Sequence, residues 1–232
     1  MALVDAGTIS FNSSLGILLG ANIGTTSTAW LVSLKLESIG PVFIVLGAAL
    51  SFFPTRWKFL GKTAFYFGFI FFSLELVSGA LKPLQNLPAV REILTQARSP
   101  LIGVLAGLLI TALVQSSSIT PGLAILLVQQ EMLAAAAAIP IVIGANIGTT
   151  STGLIASLKM KPTARRTAIA NLAFNVFGVL LFLPFLGAFS NAVVEYSGNP
   201  SLAVAWAHLI FNLVMTTAIL ILLKFFEGRI PD

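Results

Sequence analysis

Long stretches without a charged residue set the strongest limit on what this chain can fold into. Six stretches lack Asp, Glu, Lys and Arg altogether: 6–34, 38–55, 99–130, 132–158, 167–194 and 196–223. Most reach the ~20 residues that a helix needs to cross the hydrocarbon core of a bilayer. Only 9% of the 232 residues are charged, against roughly 25% in soluble domains. We therefore expect an all-α, multi-pass integral membrane protein in the plasma membrane, which is the inner membrane if the source is bacterial.

A nine-residue string occurs twice in the chain. GANIGTTST stands at 20–28 and again, unchanged, at 144–152, and the similarity continues from AWLVSLK (29–35) to GLIASLK (153–159). Nine identities in a row do not arise from apolar bias, so the chain contains an internal duplication. In this register, the counterpart of QSSSITPG (115–122) would lie before residue 1. We therefore expect an N-terminal truncation.

The polar string QSSSITPG lies in the middle of stretch 99–130, which is too long for one ordinary crossing. Pro121 and Gly122 disfavour a helix there, and the hydroxyls compete for backbone groups. Each half of the stretch would be about 20 Å long at ~1.5 Å per residue, short of a ~30 Å hydrocarbon core. The pattern predicts a re-entrant hairpin with the polar string at its tip.

Stretch 132–158 is long enough to cross the membrane, but Pro140, Gly144, Gly148 and four hydroxyls lie near its middle. This pattern predicts a discontinuous transmembrane helix, unwound near GANIGTT. Broken backbone persists inside a bilayer only where it lines a protein or water-filled cavity.

The distribution of basic residues predicts the topology. The predicted path has 99–130 dipping into the membrane and returning, with crossings at 6–34, 39–54, 59–79, 132–158, 167–190 and 201–223. Nine of the thirteen basic residues then lie on one side, as expected of the cytoplasmic side. The two GANIGTTST copies would run in opposite directions, the inverted repeat of many secondary transporters.

The same path divides the chain into four parts. Residues 1–79 hold the C-terminal part of the first repeat, with its hairpin incomplete, and the helices that follow. Residues 80–98 form an external loop, 99–223 form the second repeat with its hairpin and broken helix, and 224–232 form a cytoplasmic tail.

Apart from Glu75 and His208, hydroxyl and amide groups are the main polar groups that the predicted crossings offer. One His, no Cys and few carboxylates leave no parts for acid–base or zinc catalysis, so an enzyme is not expected. The candidate binding residues are Gln115, Ser116, Ser117, Ser118 and Thr120 in the hairpin, Asn146, Thr149 and Thr150 in the second copy, and Asn22, Thr25 and Thr26 in the first. The alternative is that such small residues only pack helices closely.

The charge of the ligand is inferred from the residues that the motifs lack. The motifs contain no carboxylate for a cationic substrate, whereas hydroxyl donors and helix N-termini suit an anion. They contain no Lys or Arg either, and burying an unpaired charge is costly. A co-bound small cation would compensate, and Ser118, Asn146 and Thr149 are the candidate sodium ligands. A proton is the alternative coupling ion.

Two weaker motifs echo each other, NLAFN at 171–175 and HLIFN at 208–212. Their polar residues stand four positions apart, on one helical face. Hydrogen bonding between helices is the favoured role for both motifs.

QSSS followed some thirty residues later by a duplicated GANIGTT resembles the type II sodium-dependent phosphate cotransporters. The resemblance also covers FFSLELVSGALKPL (71–84) and HLIFN. It implies hairpins that meet at the midplane, with Gln115 to Ser118 contacting substrate or ion. The segment 146–150 and its counterpart 22–26 would help to form the site.

The resemblance further implies import of inorganic phosphate with sodium as the coupling ion, no other cofactor, and a lipid bilayer but no nucleic acid as partner. Many bacterial members are similar to longer proteins with a PhoU-like cytoplasmic domain, which makes a PhoU-like regulator a possible partner. The alternatives are a symporter of another oxyanion or carboxylate, and a non-transporting membrane subunit or phosphate sensor.

Overall fold

A computed structural model describes residues 1–35, 39–53, 56–96 and 99–225. All regular elements in these ranges are helical. The α-helices are α1 Ala2–Asp5, α2 Phe11–Ser33, α3 Gly40–Ser51, α4 Arg56–Leu81, α5 Pro88–Gln96, α6 Pro100–Val114, α7 Ile119–Gln129, α8 Ala135–Ser157, α9 Pro162–Phe182, α10 Leu186–Ser197 and α11 Pro200–Phe225. Short 3-10 turns cover Lys82–Asn86 and Leu183–Phe185. Most of the predicted cytoplasmic tail, 226–232, lies outside the described residues.

Five helical stretches in the described part of the chain are long and apolar enough to cross a membrane: Phe11–Ser33, Trp57–Asn86, Ala135–Ser157, Pro162–Ser197 and Pro200–Phe225. They confirm the prediction of an all-α, multi-pass membrane protein. Helix α3, which lies within the predicted crossing at 39–54, has only 12 residues, and that crossing stays a prediction. A helix of that length spans roughly 18 Å, against a core of ~30 Å.

Residues 31–92 form one compact unit, in which α3 and α4 pack closely through glycines. A Cβ added at Gly40 would lie 2.8 Å from the backbone nitrogen of Phe72, and one at Gly68 would lie 2.7 Å from the carbonyl oxygen of Gly40. Small residues permit this approach between membrane helices.

The segment 80–98, predicted to be an external loop, is not irregular over its described residues. It contains the 3-10 turn Lys82–Asn86 and the helix α5. Pro83 and Pro88 stand in the first turns of these elements, where proline is favoured because the N–H it lacks would have no partner. The prolines therefore begin helical turns here. The external location of the segment stays a prediction.

The second compact unit comprises residues 1–30 and 93–232, and α8 is its most buried membrane-length helix. Helices α6, α7, α9, α10 and α11 all pack on α8. On α6, Val104 and Leu108 face Gly144 and Gly148 of α8, so the two helices run in the same direction. This is the arrangement expected when α7 carries the chain back before α8 crosses.

The duplication is visible in the structure as well as in the sequence. When 124 is added to the residue numbers of α2, its first and last positions coincide with those of α8. The same shift places α1 on the last turn of α7. Gly7 and its counterpart Glu131 both have positive φ, at 75° and 60°. The repeat therefore preserves backbone conformation well outside the nine identical residues.

The two copies run in opposite directions within this unit. Helix α2 is parallel to α9, because Ser14 pairs with Thr167 and Asn22 shares a cavity with Asn175 eight residues further along each helix. Helices α8 and α9 are joined by the short segment 158–161 and pack on each other, so they form an antiparallel pair. Since α2 runs with α9, it runs against α8, as the inverted repeat predicts.

The predicted break at GANIGTT is wrong, because α8 is continuous over Ala135–Ser157 and α2 over Phe11–Ser33. The motif's hydroxyls bond back to their own helix, Thr149 to the carbonyl of Ala145 at 2.8 Å and Thr150 to that of Ile147 at 2.7 Å. Gly144 and Gly148 meet the backbone of α6 instead of unwinding the helix. Pro140 lies inside α8, five residues after the first residue of the helix, and the helix continues past it.

A helix break occurs at Leu183–Phe185, where the sequence pattern did not predict one. Helix α9 ends at Phe182, the 3-10 turn Leu183–Phe185 follows, and α10 begins at Leu186. Pro184 lies in this turn, and it cannot supply the N–H that a continuous α-helix would use.

The hairpin makes a prediction about sidedness that cysteine labelling can test, since the natural chain contains no Cys. Gln96 and Glu131 flank the hairpin and are exposed, and Lys159 is exposed beyond the far end of α8. We expect Gln96→Cys and Glu131→Cys to react with an impermeant maleimide from one side of the membrane, and Lys159→Cys from the other. If Gln96→Cys and Glu131→Cys reacted from opposite sides, 99–130 would be a crossing.

Candidate functional site

The tip of the α6–α7 hairpin is a four-residue connection, Gln115 to Ser118. Gln115 ends α6 in the left-handed conformation, with φ of 55°, and its N–H donates to the carbonyl of Thr111 at 2.7 Å. A non-glycine residue held there costs roughly 1–3 kcal/mol, a kind of strain that clusters at functional sites. Gln115 is exposed, and the three serines that follow are half-buried. The predicted tip residues therefore lie at a turn, and each of them is at least partly exposed.

The turn lies slightly earlier in the chain than the sequence indicated. Pro121 and Gly122, expected to break the helix, both lie in the first turns of α7. Proline is tolerated there because those N–H groups have no partner within the helix. The two arms, of 15 and 11 residues, are each too short to cross a membrane, as predicted.

A buried hydrogen bond ties the two arms together just below the tip. The hydroxyl of Thr111 donates to that of Thr120 at 2.7 Å, and the two side chains are 0% and 2% exposed. Thr120 was a predicted site residue, whereas Thr111 was not. Its one signal in the sequence was being the sole polar side chain of α6. The burial indicates that this pair holds the hairpin closed.

Thr120→Val should destabilise the protein by about 1–3 kcal/mol, because the Thr111 hydroxyl would remain buried without its partner. Thr111→Val combined with Thr120→Val should cost less than Thr120→Val alone, since both polar groups are then gone. Melting temperatures of the purified variants measure both effects. Equal melting temperatures for the wild type and Thr120→Val would show that the bond contributes nothing.

The hairpin tip meets the first copy of the repeated motif. The hydroxyl of Thr28 donates to that of Ser118 at 3.2 Å, across 90 residues of sequence. Thr28 is the ninth and last residue of the first GANIGTTST, and Ser118 is the last residue of QSSS. The contact joins a predicted site residue of the hairpin to the other repeat. Thr28 itself was not among the predicted site residues, and none of the three that were, Asn22, Thr25 and Thr26, is linked to the tip by a described hydrogen bond.

The other predicted residues of the GANIGTT copies bond to their own helices. Thr25 donates to the carbonyl of Asn22 at 2.8 Å, and Thr26 to that of Ile23 at 2.7 Å. Asn146 is 7% exposed and donates to Val142 at 3.3 Å and Ile143 at 3.2 Å. These donors are occupied, so the groups present oxygen lone pairs, which suit a cation better than an anion.

The N-terminus of α7 makes the hairpin tip favour an anion over a cation. Ile119 and Thr120 are its first residues, and their N–H groups have no acceptor within the helix. The helix dipole adds a partial positive charge at this end, so backbone and serine hydroxyls together favour an anion. Among the described residues, no three His, Cys, Asp or Glu side chains cluster to hold a metal. The grouping of Ser118, Asn146 and Thr149 around sodium stays a prediction.

An inverted repeat of membrane helices with a polar re-entrant hairpin defines the class, that of multi-pass helical membrane transporters. The chain belongs to the Na+/Pi-cotransporter family, whose sequence model matches residues 1–79 and, separately, 76–193. The first match contains the first GANIGTTST and the second match contains the second. The family is one of transporters.

Curated relatives extend the comparison over most of the chain. The uncharacterized protein YqeW of Bacillus subtilis is 33% identical over 226 residues, which are 96% of this chain and 72% of YqeW. The putative inorganic phosphate export protein YjbB of Escherichia coli K12 is 27% identical over 209 residues, 89% of this chain and 38% of YjbB.

A human relative matches a shorter part of the chain. Sodium-dependent phosphate transport protein 2B is 34% identical over 136 residues, 54% of this chain and 20% of the human protein. The chain thus spans well under half the length of these named phosphate transport proteins. No solved structure shows a significant match.

Proposed function

We propose that the protein carries inorganic phosphate, as HPO₄²⁻, across the plasma membrane together with sodium. The observation that supports this most is the contact of Ser118 with Thr28, which brings an anion-favouring helix N-terminus beside the repeated motif. Family membership supports phosphate as the cargo. No bond is broken in this mechanism: hydroxyls and backbone N–H groups replace the hydration shell of the ion.

Sodium is proposed because the site offers the anion no protein counter-charge. Neither QSSS nor GANIGTTST contains Lys or Arg. A divalent anion buried without compensation is strongly disfavoured, and a co-bound cation on the oxygens of the GANIGTT helices would offset its charge. The printed name of the human relative, a sodium-dependent phosphate transport protein, agrees with this coupling ion.

Import is the direction proposed for a cell that keeps internal sodium low. In coupled transport, the sodium gradient decides which way phosphate moves, and the repeats exchange exposure around one site. The YjbB relatives are named phosphate export proteins. Under this proposal, one site can serve either direction according to the driving gradient.

Uptake of labelled phosphate into proteoliposomes tests the proposal, with external sodium replaced by choline in a parallel sample. We expect concentrative uptake in sodium and only background uptake in choline. Excess sulfate and succinate should not compete, whereas unlabelled phosphate should. Equal uptake in both salts would reject sodium coupling, and stronger competition by sulfate or succinate would reject phosphate as the cargo.

A further inference from the structure

Three asparagines from separate helices meet at a small cavity between α2, α9 and α11. Asn22 belongs to the first GANIGTT, Asn175 to NLAFN and Asn212 to HLIFN, and Thr216 completes the polar lining. The rest of the wall is apolar, with Leu19 and Phe211 among its residues. About 10 Å³ is open to a water-sized sphere, which is room for one water molecule or one bare cation. Helix packing thus brings together two motifs that looked purely structural in the sequence.

Two of the asparagines and Thr216 use donor groups within the protein. Asn175 donates its amide N–H to the carbonyl of Asn171 at 2.8 Å, and Asn212 donates to that of His208 at 2.9 Å. Thr216 donates to the carbonyl of Leu19 at 3.4 Å. With these donors engaged within the protein, the oxygens keep lone pairs for a ligand. The cavity is therefore rich in neutral oxygen acceptors.

Three of the four polar side chains that line the cavity are buried, and Asn22 is half-buried. Asn175 and Thr216 are 6% exposed, and Asn212 is 3% exposed. Buried polar groups of this kind are normally satisfied by protein, water or an ion. The residues that line the cavity include no carboxylate, so a divalent cation would be buried with two uncompensated charges. A monovalent cation carries half that charge, and hard oxygen ligands suit sodium.

We propose that this asparagine cavity binds one sodium ion, through Asn22, Asn175, Asn212 and Thr216. The inference rests on the proposed function, since it names a site for the coupling ion. It differs from the grouping of Ser118, Asn146 and Thr149, because its ligands come from the first repeat and from the two helices packed on it.

The position of Asn22 shows how such an ion would act on the substrate site. Thr28, which contacts the hairpin tip, lies six residues further along α2, about 9 Å at ~1.5 Å per residue. An ion that holds α2 to α9 and α11 would therefore fix the helix that touches Ser118. Sodium binding would then favour the arrangement in which the tip is complete, which couples ion and anion.

Thermal melting of the purified full chain in sodium, potassium or choline chloride tests the site without depending on transport. A ligand that binds only the folded state raises the melting temperature, and we expect an increase on the order of 5 °C in saturating sodium. Potassium and choline should give no such increase. Thr216→Val should reduce the sodium-dependent shift, and Thr217→Val, its exposed neighbour on α11, should leave it unchanged.

Asn212→Asp should increase the sodium-dependent shift, whereas Thr216→Val should reduce it. Asn212→Asp places a carboxylate in the cavity, so the variant should melt lower than the wild type in choline and recover more in sodium than the wild type gains. A sodium shift equal to that of the wild type in both Thr216→Val and Asn212→Asp would overturn the proposal. So would a wild type without any sodium shift, which would indicate a water in the cavity.

The outcome is separable from that of the proposed function. A sodium shift that Thr216→Val reduces, in a protein that moves no phosphate, would keep the ion site and reject phosphate transport. A sodium shift that Ser118→Ala abolishes and Thr216→Val leaves intact would assign the ion to the hairpin and overturn the proposal.

Discussion

Gly144→Ala should destabilise the protein by about 3 kcal/mol, a fall in melting temperature on the order of 10 °C, while Gly20→Ala should leave it as stable as the wild type or slightly more so. The two glycines occupy the same place in the two copies of GANIGTTST. A Cβ at Gly144 would collide with the carbonyl oxygen of Val104 on α6, whereas one at Gly20 meets no atom of the described residues within 4 Å. The backbones of α6 and α8 must separate to admit one methyl group.

The matched pair removes the ordinary effect of replacing glycine in a helix. Alanine is favoured over glycine by roughly 1 kcal/mol in a helix interior, and this gain applies to both positions. The difference between the variants therefore measures the α6–α8 contact alone. Melting of the two purified variants under one set of conditions gives that difference. Equal melting temperatures would mean that α6 does not pack on the glycines of α8.

Ser117→Ala should lower sodium-dependent phosphate uptake by at least about tenfold with normal insertion into the membrane. A hydrogen bond to a charged group contributes roughly 1.5–3 kcal/mol, and 1.4 kcal/mol corresponds to a factor of ten. Ser117 lies in the hairpin tip and is half-buried, and under the proposed function its hydroxyl contacts the anion. Initial rates of labelled phosphate uptake, normalised to the amount of protein in the membrane, measure the effect.

Ser197→Ala is the control for the loss of a hydroxyl. Ser197 donates to the carbonyl of Asn199 at 3.0 Å in the turn between α10 and α11, outside the proposed site. Its replacement should leave uptake close to that of the wild type. Unchanged uptake kinetics in Ser117→Ala would remove Ser117 from the site.

The parts of the fold that depend on local pattern could be predicted from the sequence. Repeated GANIGTTST fixed the register in which α2 matches α8, and the length of the charge-free stretch 99–130 indicated a hairpin. Opposite directions of the two copies followed from the distribution of charge. These features depend on neighbouring residues, on helix length and on composition.

Features that depend on tertiary contacts could not be predicted in this way. The glycines of GANIGTT suggested unwinding, because the sequence does not show that Gly144 lies against α6. The length of α3 was overestimated, because hydrophobicity does not determine where a helix ends. Asn175 and Asn212 could be read only as packing residues until α2 brought Asn22 beside them.

The candidate site has two halves of different character. At the hairpin tip, the first N–H groups of α7 and the serine hydroxyls favour an anion. In the GANIGTT helices, occupied donors leave oxygens that favour a cation. Thr28 and Ser118 connect the halves. Under the proposed function, the two halves would take an anion and a cation together, in a chain whose predicted site carries no formal charge.

Phosphate movement driven by a sodium gradient alone tests the coupling most directly. Proteoliposomes would contain labelled phosphate at equal concentration inside and outside, with sodium on one side and choline on the other. Phosphate should accumulate in the compartment toward which sodium flows, and reversing the sodium gradient should reverse the accumulation. If phosphate stayed evenly distributed in both cases while the protein exchanged labelled for unlabelled phosphate, transport would not be coupled to sodium.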